Sequence, residues 1–290
     1  MGFLHEGHIN LIRMAKRNCD KVFISIFVNP TQFGPGEDFK KYPRDVKRDS
    51  ALAEKEGVDY IFYPTVQEMY GSDHKTMVEV KELGKIMCGK HRPGHFAGVT
   101  TIVLKLFSII DAHKAYFGQK DYQQMIIIKK MAADLNLDIE IVSGPTIRER
   151  DGLAISSRNR YLSAEERRNA NILYECLNLA EDMVKNGEKD LEKIKRIILG
   201  KLEDNRFVKS VDYFEFRDPR TLEVIFSAIR FSMSSGTEIF SLSEYFFNIA
   251  SLVSRSGGVI SVTRPHSKRD LSLSSRVEMF LGDLSLERTI

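Results

Sequence analysis

Apolar, β-rich runs alternate with helix-patterned stretches through the first half of this chain, and that alternation restricts it to a small set of folds. KVFISIFV (21–28) is β-branched and aromatic and stops at Asn29-Pro30, as expected of a parallel strand buried on both faces. VDYIFY (58–63), KAYFG (114–118) and LDIEIVSG (137–144) end at similar breakers, and helical periodicity fills 8–18, 45–56, 99–110 and 121–135. Strands and helices in this order predict an α/β fold with a doubly wound, Rossmann-like parallel sheet. After PTIRERDG the period changes to long charged helices, SAEERRNANILYECLNLAEDMVKNG and EKDLEKIKRIILGKLED, followed by a short strand, VDYFEF. A Rossmann-like domain over 1–147, a smaller α+β C-terminal domain over 148–225 and a Ser-rich tail over 226–290 are therefore expected.

At 290 residues, 42% hydrophobic and 29% charged, the chain is long enough to bury one large or two ordinary cores. Lys and Arg number 43 against 40 Asp and Glu. So small an excess argues against a dedicated nucleic-acid surface and leaves room for a local anion site. Cys19, Cys88 and Cys176 are scattered, which fits neither a disulfide framework nor paired metal ligands and points to a reducing, cytoplasmic setting. The apolar run TTIVLKLFSII is broken by Lys105 and too short for a bilayer. No signal peptide is expected, and Glu6 stands where a myristoylation signal needs Ser or Thr.

Ligands of such sheets bind beyond the carboxyl ends of the strands, where four loops carry polar groups. In the opening MGFLHEGH, Gly7 and His8 fall where a helix starts, and free N–H groups there receive phosphate. His5 and His8 add donors; taken alone, they read more readily as a loop and a capping histidine. NPTQFGPGEDF offers the amides of Asn29 and Gln32, suited to a hydroxy acid or simply solvated on a turn. In FGQKDYQQM, Gly118 ends a strand, Lys120 can pair with phosphate, Asp121 can cap the next helix and Gln124 lies on its first turn. AISSRNRYLS brings Ser156, Ser157 and Arg158, suited to a triphosphate or to a surface turn. GKIMCGKH (84–91) has P-loop glycine and lysine spacing, but His91 replaces the Mg²⁺-binding hydroxyl and no apolar strand leads into it. Zinc is disfavoured because the opening histidines are three apart, not four.

Together, MGFLHEGH, SIFVNPTQFGPGEDFKKYPR, HRPGHFAGVTTIVLKLF, AYFGQKDYQQ and LAISSRNRYLS resemble the pantoate–β-alanine ligases (pantothenate synthetases) of the H-x-G-H nucleotidyltransferase superfamily. The resemblance runs from Met1 to about Ile225. It implies ATP-dependent ligation of pantoate and β-alanine through a pantoyl adenylate, with release of AMP and pyrophosphate and with Mg²⁺ carried on the phosphates. It also implies a homodimer with small-molecule substrates, no nucleic acid and no membrane. By the same resemblance the catalytic residues are His8, His5 and Lys120. ATP lies against Met1, Gly2, Phe3, Leu4, His5, Glu6, Gly7 and His8, then Gly118, Gln119, Lys120 and Asp121, then Ile147, and then Ile155, Ser156, Ser157 and Arg158. Pantoate lies between Gln32 and Gln124, with β-alanine also near Gln32, and no residue is implied as a metal ligand. Tyr42, Asp49, Arg92 and His95 match further family positions near the site, whereas Arg48 stands where some relatives have an acid.

Family members open with an additional helix and an apolar strand ending in Pro-Thr, and their closing pattern is absent after DPRTLEVI. The resemblance therefore implies a sheet whose first strand is missing from the record and a tail altered by a reading-frame change near Ile225. Two further readings stay open at this level: another H-x-G-H adenylyltransferase with a different acid, and a silent remnant of the ligase.

Overall fold

The computed structural model describes residues 2–225 together with the backbone of 258–262 and 277–281. Met1 and the rest of the 226–290 tail, both part of the expectations above, lie outside the described residues. The order is α1 (Glu6–Asn18), β1 (Val22–Ser25), α2 (Val46–Lys55), β2 (Tyr60–Phe62), α3 (Val66–Met69), α4 (Cys88–His91), α5 (His95–Ile110), β3 (Lys114–Gly118), α6 (Tyr122–Asp134), β4 (Glu140–Gly144), α7 (Ala164–Asn169), α8 (Ile172–Lys185), α9 (Leu191–Glu203), β5 (Gly258–Val262) and β6 (Val277–Leu281).

Each element follows from local chemistry. Helix α1 starts at His5, which caps it, carries Glu6 in its first turn and Lys16 and Arg17 in its last, and so complements the helix dipole at both ends. Its buried face, Ile9, Ile12 and Ala15, recurs every third residue and packs with Val22, Ile24, Ile26 and Tyr116. Full burial of each large aliphatic side chain contributes about 1.5–3 kcal/mol. Helix α5 is buried along most of its length, as its apolar sequence requires. Among the described residues no helix is long and apolar enough to cross a membrane.

The fold is α/β, as expected, with β3 and β4 parallel in register Lys114↔Glu140 to Gly118↔Gly144. The sheet order is β1-β5-β6-β3-β4, and β2 runs beside β1 through Asp59 N–H to Val22 O at 3.0 Å and Ile26 N–H to Phe62 O at 2.9 Å. Two details differ from expectation. The sheet is mixed, because β5 is antiparallel to β1, β3 and β6. And β1 does not face an empty neighbour: β6 runs parallel to it and also pairs in parallel with β3. A strand buried on both faces needs ladder partners on both edges, and here they come from β2 as well as from 258–262 and 277–281.

The chain divides into two compact units. The first takes Met1–Ile147, Ile155–Arg158 and the strands β5 and β6; the second takes Arg148–Ala154 and, among the described residues, 159–225. In the second unit Ile172, Cys176 and Ala180 of α8 meet Leu191, Ile194, Ile198 and Leu202 of α9 over Phe214 and Phe216. VDYFEF, expected as a strand, has the alternating burial of one at Phe214 and Phe216, but only an isolated bridge, Arg217↔Val224, forms beside it.

Candidate active site

The opening loop is fixed before it reaches its histidines. Phe3 sits in the left-handed region at φ 56°, a conformation costing a bulky residue about 1–3 kcal/mol unless its surroundings impose it. Asp49 imposes it by accepting the Phe3 N–H at 2.6 Å and the Leu4 N–H at 2.7 Å. Ser157 Oγ donates to the Phe3 carbonyl at 3.1 Å. Arg48 lies 4.3 Å above the Phe3 ring and donates to the Leu4 carbonyl at 2.9 Å. Asp49 is fully buried. Burial pushes its carboxyl up, against the lowering effect of the Leu4 and Phe3 N–H groups and of Arg48.

His5 Nδ1 accepts the Gly7 N–H at 3.2 Å, and the His5 N–H donates to His8 Nδ1 at 3.2 Å. The two rings stack with centroids 3.8 Å apart. A Cβ on Gly7 would lie 3.0 Å from the His5 ring, so a larger residue there would have to shift the ring that folds back as a cap. Because His8 Nδ1 accepts, the neutral ring carries its proton on Nε2. That nitrogen is buried without a hydrogen-bond partner among the described residues. Burial first, then the neighbouring His5, Lys120 and Arg48, hold the His8 pKa well below the usual imidazole range. His8 is therefore a neutral N–H donor at neutral pH, a state the sequence left open.

The sign of its pH dependence follows. A depressed folded pKa means that acid protonates His8 in the unfolded chain first, so its contribution to stability is present above about pH 6.5 and falls as pH drops through that value. The His8 ring resonances should stay flat in a titration by nuclear magnetic resonance from pH 8 to about 6. A midpoint near 6.5 would contradict the neutral donor.

His8 faces a small hollow that it lines with Gly7, Leu11, Gly118, Lys120, Pro145, Thr146, Ile147 and Ile155. Gly118 and Pro145 lie at the carboxyl ends of β3 and β4, where α/β sheets bind ligands. Lys120 Nζ donates to Ile155 O at 3.0 Å, and Ile155 N–H donates to Ile147 O at 3.0 Å. Gly118, Lys120, Ile147 and Ile155, all expected at the site, thus line one space with His8. The Thr146 hydroxyl there is buried without a partner among the described residues, and no sequence feature had singled it out. Asp121 occupies the N-cap of α6 but makes no side-chain cap bond, contrary to expectation, because the turn Gln119–Asp121 enters the helix as a 3₁₀ turn. Ser156 Oγ accepts the Arg158 N–H at 3.2 Å, a local turn. Arg158 is buried, and its Nε and Nη2 donate to Asp38 at 2.7 and 2.5 Å.

Gln32 ends the 3₁₀ turn Pro30–Gln32 and is buried. Asn29 Nδ2 donates to Gln32 Oε1 at 2.9 Å and to Gly98 O at 3.1 Å, and Tyr70 donates its hydroxyl to Asn29 Oδ1 at 2.7 Å. His95 Nδ1 lies 2.9 Å from the Gln32 carbonyl oxygen. Gln32 Nε2 is left without a partner among the described residues, a buried donor able to serve a ligand. Gln124 is buried on the first turn of α6, with no hydrogen bond to Gln32 among the described residues. Tyr42 is buried and lies 5.0 Å beneath the Arg158 guanidinium. No three His, Cys, Asp or Glu side chains converge as metal ligands among the described residues.

Comparison with known proteins agrees with this geometry. The family model described as pantoate-beta-alanine ligase matches residues 1–245. A pantothenate synthetase of Caldicellulosiruptor bescii is 58% identical over 225 residues, 78% of this chain and 79% of the relative. The crystal structure of pantothenate synthetase from Thermus thermophilus superposes with a TM-score of 0.75 at 37% identity, covering 97% of this chain and 90% of that one. A pantoate-beta-alanine ligase of Francisella tularensis, complexed with beta-gamma ATP and beta-alanine, gives a TM-score of 0.61 at 38% identity over 69% of this chain and 75% of that one. With a buried neutral histidine facing the carboxyl ends of the parallel strands and relatives this similar, the chain belongs to the pantoate–β-alanine ligase family.

Proposed function

We propose that this ligase joins pantoate to β-alanine in two steps at the His8 hollow. In the first, a carboxylate oxygen of pantoate attacks the α-phosphorus of ATP, the bond to the bridging oxygen breaks and pyrophosphate leaves. In the second, the β-alanine amine attacks the acyl carbon, loses a proton and expels AMP. Neither step needs a covalent bond to the protein, so catalysis rests on positioning and charge stabilisation. The observation that carries this reading is the buried, unpartnered His8 Nε2–H facing the same space as Lys120. His8 donates to a phosphate oxygen as negative charge moves onto the leaving pyrophosphate, and Lys120 balances that charge.

In this reading ATP lies against the opening loop through His5 and His8, the Gly118–Asp121 turn, Ile147 and the Ile155–Arg158 segment. Pantoate takes the open Gln32 Nε2 donor and Gln124, with β-alanine beside Gln32. In this reading Mg²⁺ travels with the nucleotide substrate, in keeping with its habit of retaining waters and phosphate ligands. The proposal includes a homodimer in the cytoplasm.

The test is AMP formation from ATP, pantoate and β-alanine, repeated with Gln32→Leu and Gln124→Leu. Each change should weaken pantoate by about 1–3 kcal/mol, the cost of an unpaired buried polar group, and leave ATP affinity nearly unchanged. Loss of ATP affinity with pantoate unaffected would show that the loop assignments are wrong.

A further inference from the structure

Glu37 and Asp38 are adjacent, and each holds a different buried arginine. Arg92 Nε donates to Glu37 Oε1 at 2.7 Å while Arg92 Nη2 donates to Glu37 Oε2. Arg158 grips Asp38 in the same two-pronged way at 2.7 and 2.5 Å. The side chains of Arg92 and Arg158 are 5% and 4% exposed, and those of Glu37 and Asp38 14% and 1%, so solvent screens neither pair much.

The two arginines lead to different substrates. Arg92 Nη2 also reaches the Gln32 carbonyl oxygen at 3.5 Å, the atom that His95 holds at 2.9 Å. Arg158 closes the segment whose Ser157 bonds Phe3 O and whose Ile155 O accepts Lys120. Glu37 is extended, at φ −74° and ψ 168°, and precedes the 3₁₀ turn that opens at Asp38. We infer that Glu37 and Asp38 are a pair of positioning residues: Glu37, through Arg92, sets the acid-binding turn at Gln32, and Asp38, through Arg158, sets the nucleotide segment 155–158. A planar guanidinium held at two points by a carboxylate has one orientation, so each carboxylate fixes the segment its arginine touches. One dipeptide thereby holds the two sites in fixed relation. The inference rests on the ligase reading above.

Steady-state kinetics of the full chain test it. Glu37→Gln should raise KM for pantoate about tenfold or more and leave KM for ATP within about twofold. Asp38→Asn should do the reverse. A merely structural role would lower stability and move both constants together or neither, and either outcome would overturn the inference. Where the neutral variants fold poorly, Glu37→Asp and Asp38→Glu keep the charge, shift the fork by one methylene and must show the same split. Absence of pantoate-dependent turnover in the parent chain would contradict the ligase reading itself. ATP affinity measured by calorimetry, which needs no turnover, still decides the Asp38 half: unchanged affinity in Asp38→Asn would overturn it.

Discussion

Replacing His8 with alanine should lower pantoate-dependent pyrophosphate release by about two to three orders of magnitude, the usual effect of losing one preorganised donor. The expectation comes from burial as much as from position. His8 is fully buried, its Nδ1 is occupied by the His5 N–H, and its Nε2–H is therefore aimed and already desolvated. A donor in that state needs no reorganisation when charge develops on the phosphates. Lys120→Ala should act on the same half-reaction. Unchanged pyrophosphate release in His8→Ala would remove the residue from the mechanism, and an effect confined to β-alanine transfer in Lys120→Ala would misassign the lysine.

The second large effect is expected at a glycine, through packing alone. A Cβ at Gly98 would lie 2.4 Å from Thr31 O and 2.7 Å from Gln32 Cα, so Gly98→Ala must push the backbone of α5 and the Gln32 turn apart. Both contacting atoms are main chain and cannot rotate away. Overpacking of this kind costs about 1–3 kcal/mol in stability, and a displacement of about 1 Å at a binding group costs about a hundredfold in rate. The fall should appear in kcat/KM for pantoate and spare ATP. Gly200→Ala is the internal control: nothing lies within 4 Å of its Cβ position, and in helix α9 it should stabilise by about 0.5–1 kcal/mol. Unchanged pantoate kinetics in Gly98→Ala would show that the Gln32 turn tolerates movement and that its geometry is not critical.

How much of this was legible in the amino-acid order depends on the range of the interactions. β1, β3 and β4 and the helices between them were readable because burial on a sheet or helix face imposes a local period. The family was readable because its motifs are long and lie in order along the chain. The hold on the opening loop was not. Asp49 reaches Phe3 and Leu4 across more than forty positions, and Asp38 reaches Arg158 across 120. Such pairs leave no periodic trace, so Arg48 looked featureless until its contacts with Leu4 and the Phe3 ring were seen. Gly98 sat within a motif, yet its reason, the approach of Thr31 and Gln32, is tertiary. VDYFEF failed as a strand for the same cause: alternation predicts which side chains are buried, as at Phe214 and Phe216, whereas pairing needs a partner that the local pattern does not name.

In the proposed reaction pantoate's own carboxylate attacks the α-phosphorus of ATP in the hollow beneath His8. Pantoate carrying oxygen-18 in both carboxylate positions tests it directly, with mass analysis of the products after reaction with ATP and β-alanine. One labelled oxygen is expected in AMP and the other in the amide carbonyl of the product. Label in inorganic phosphate, or AMP free of label, would contradict it.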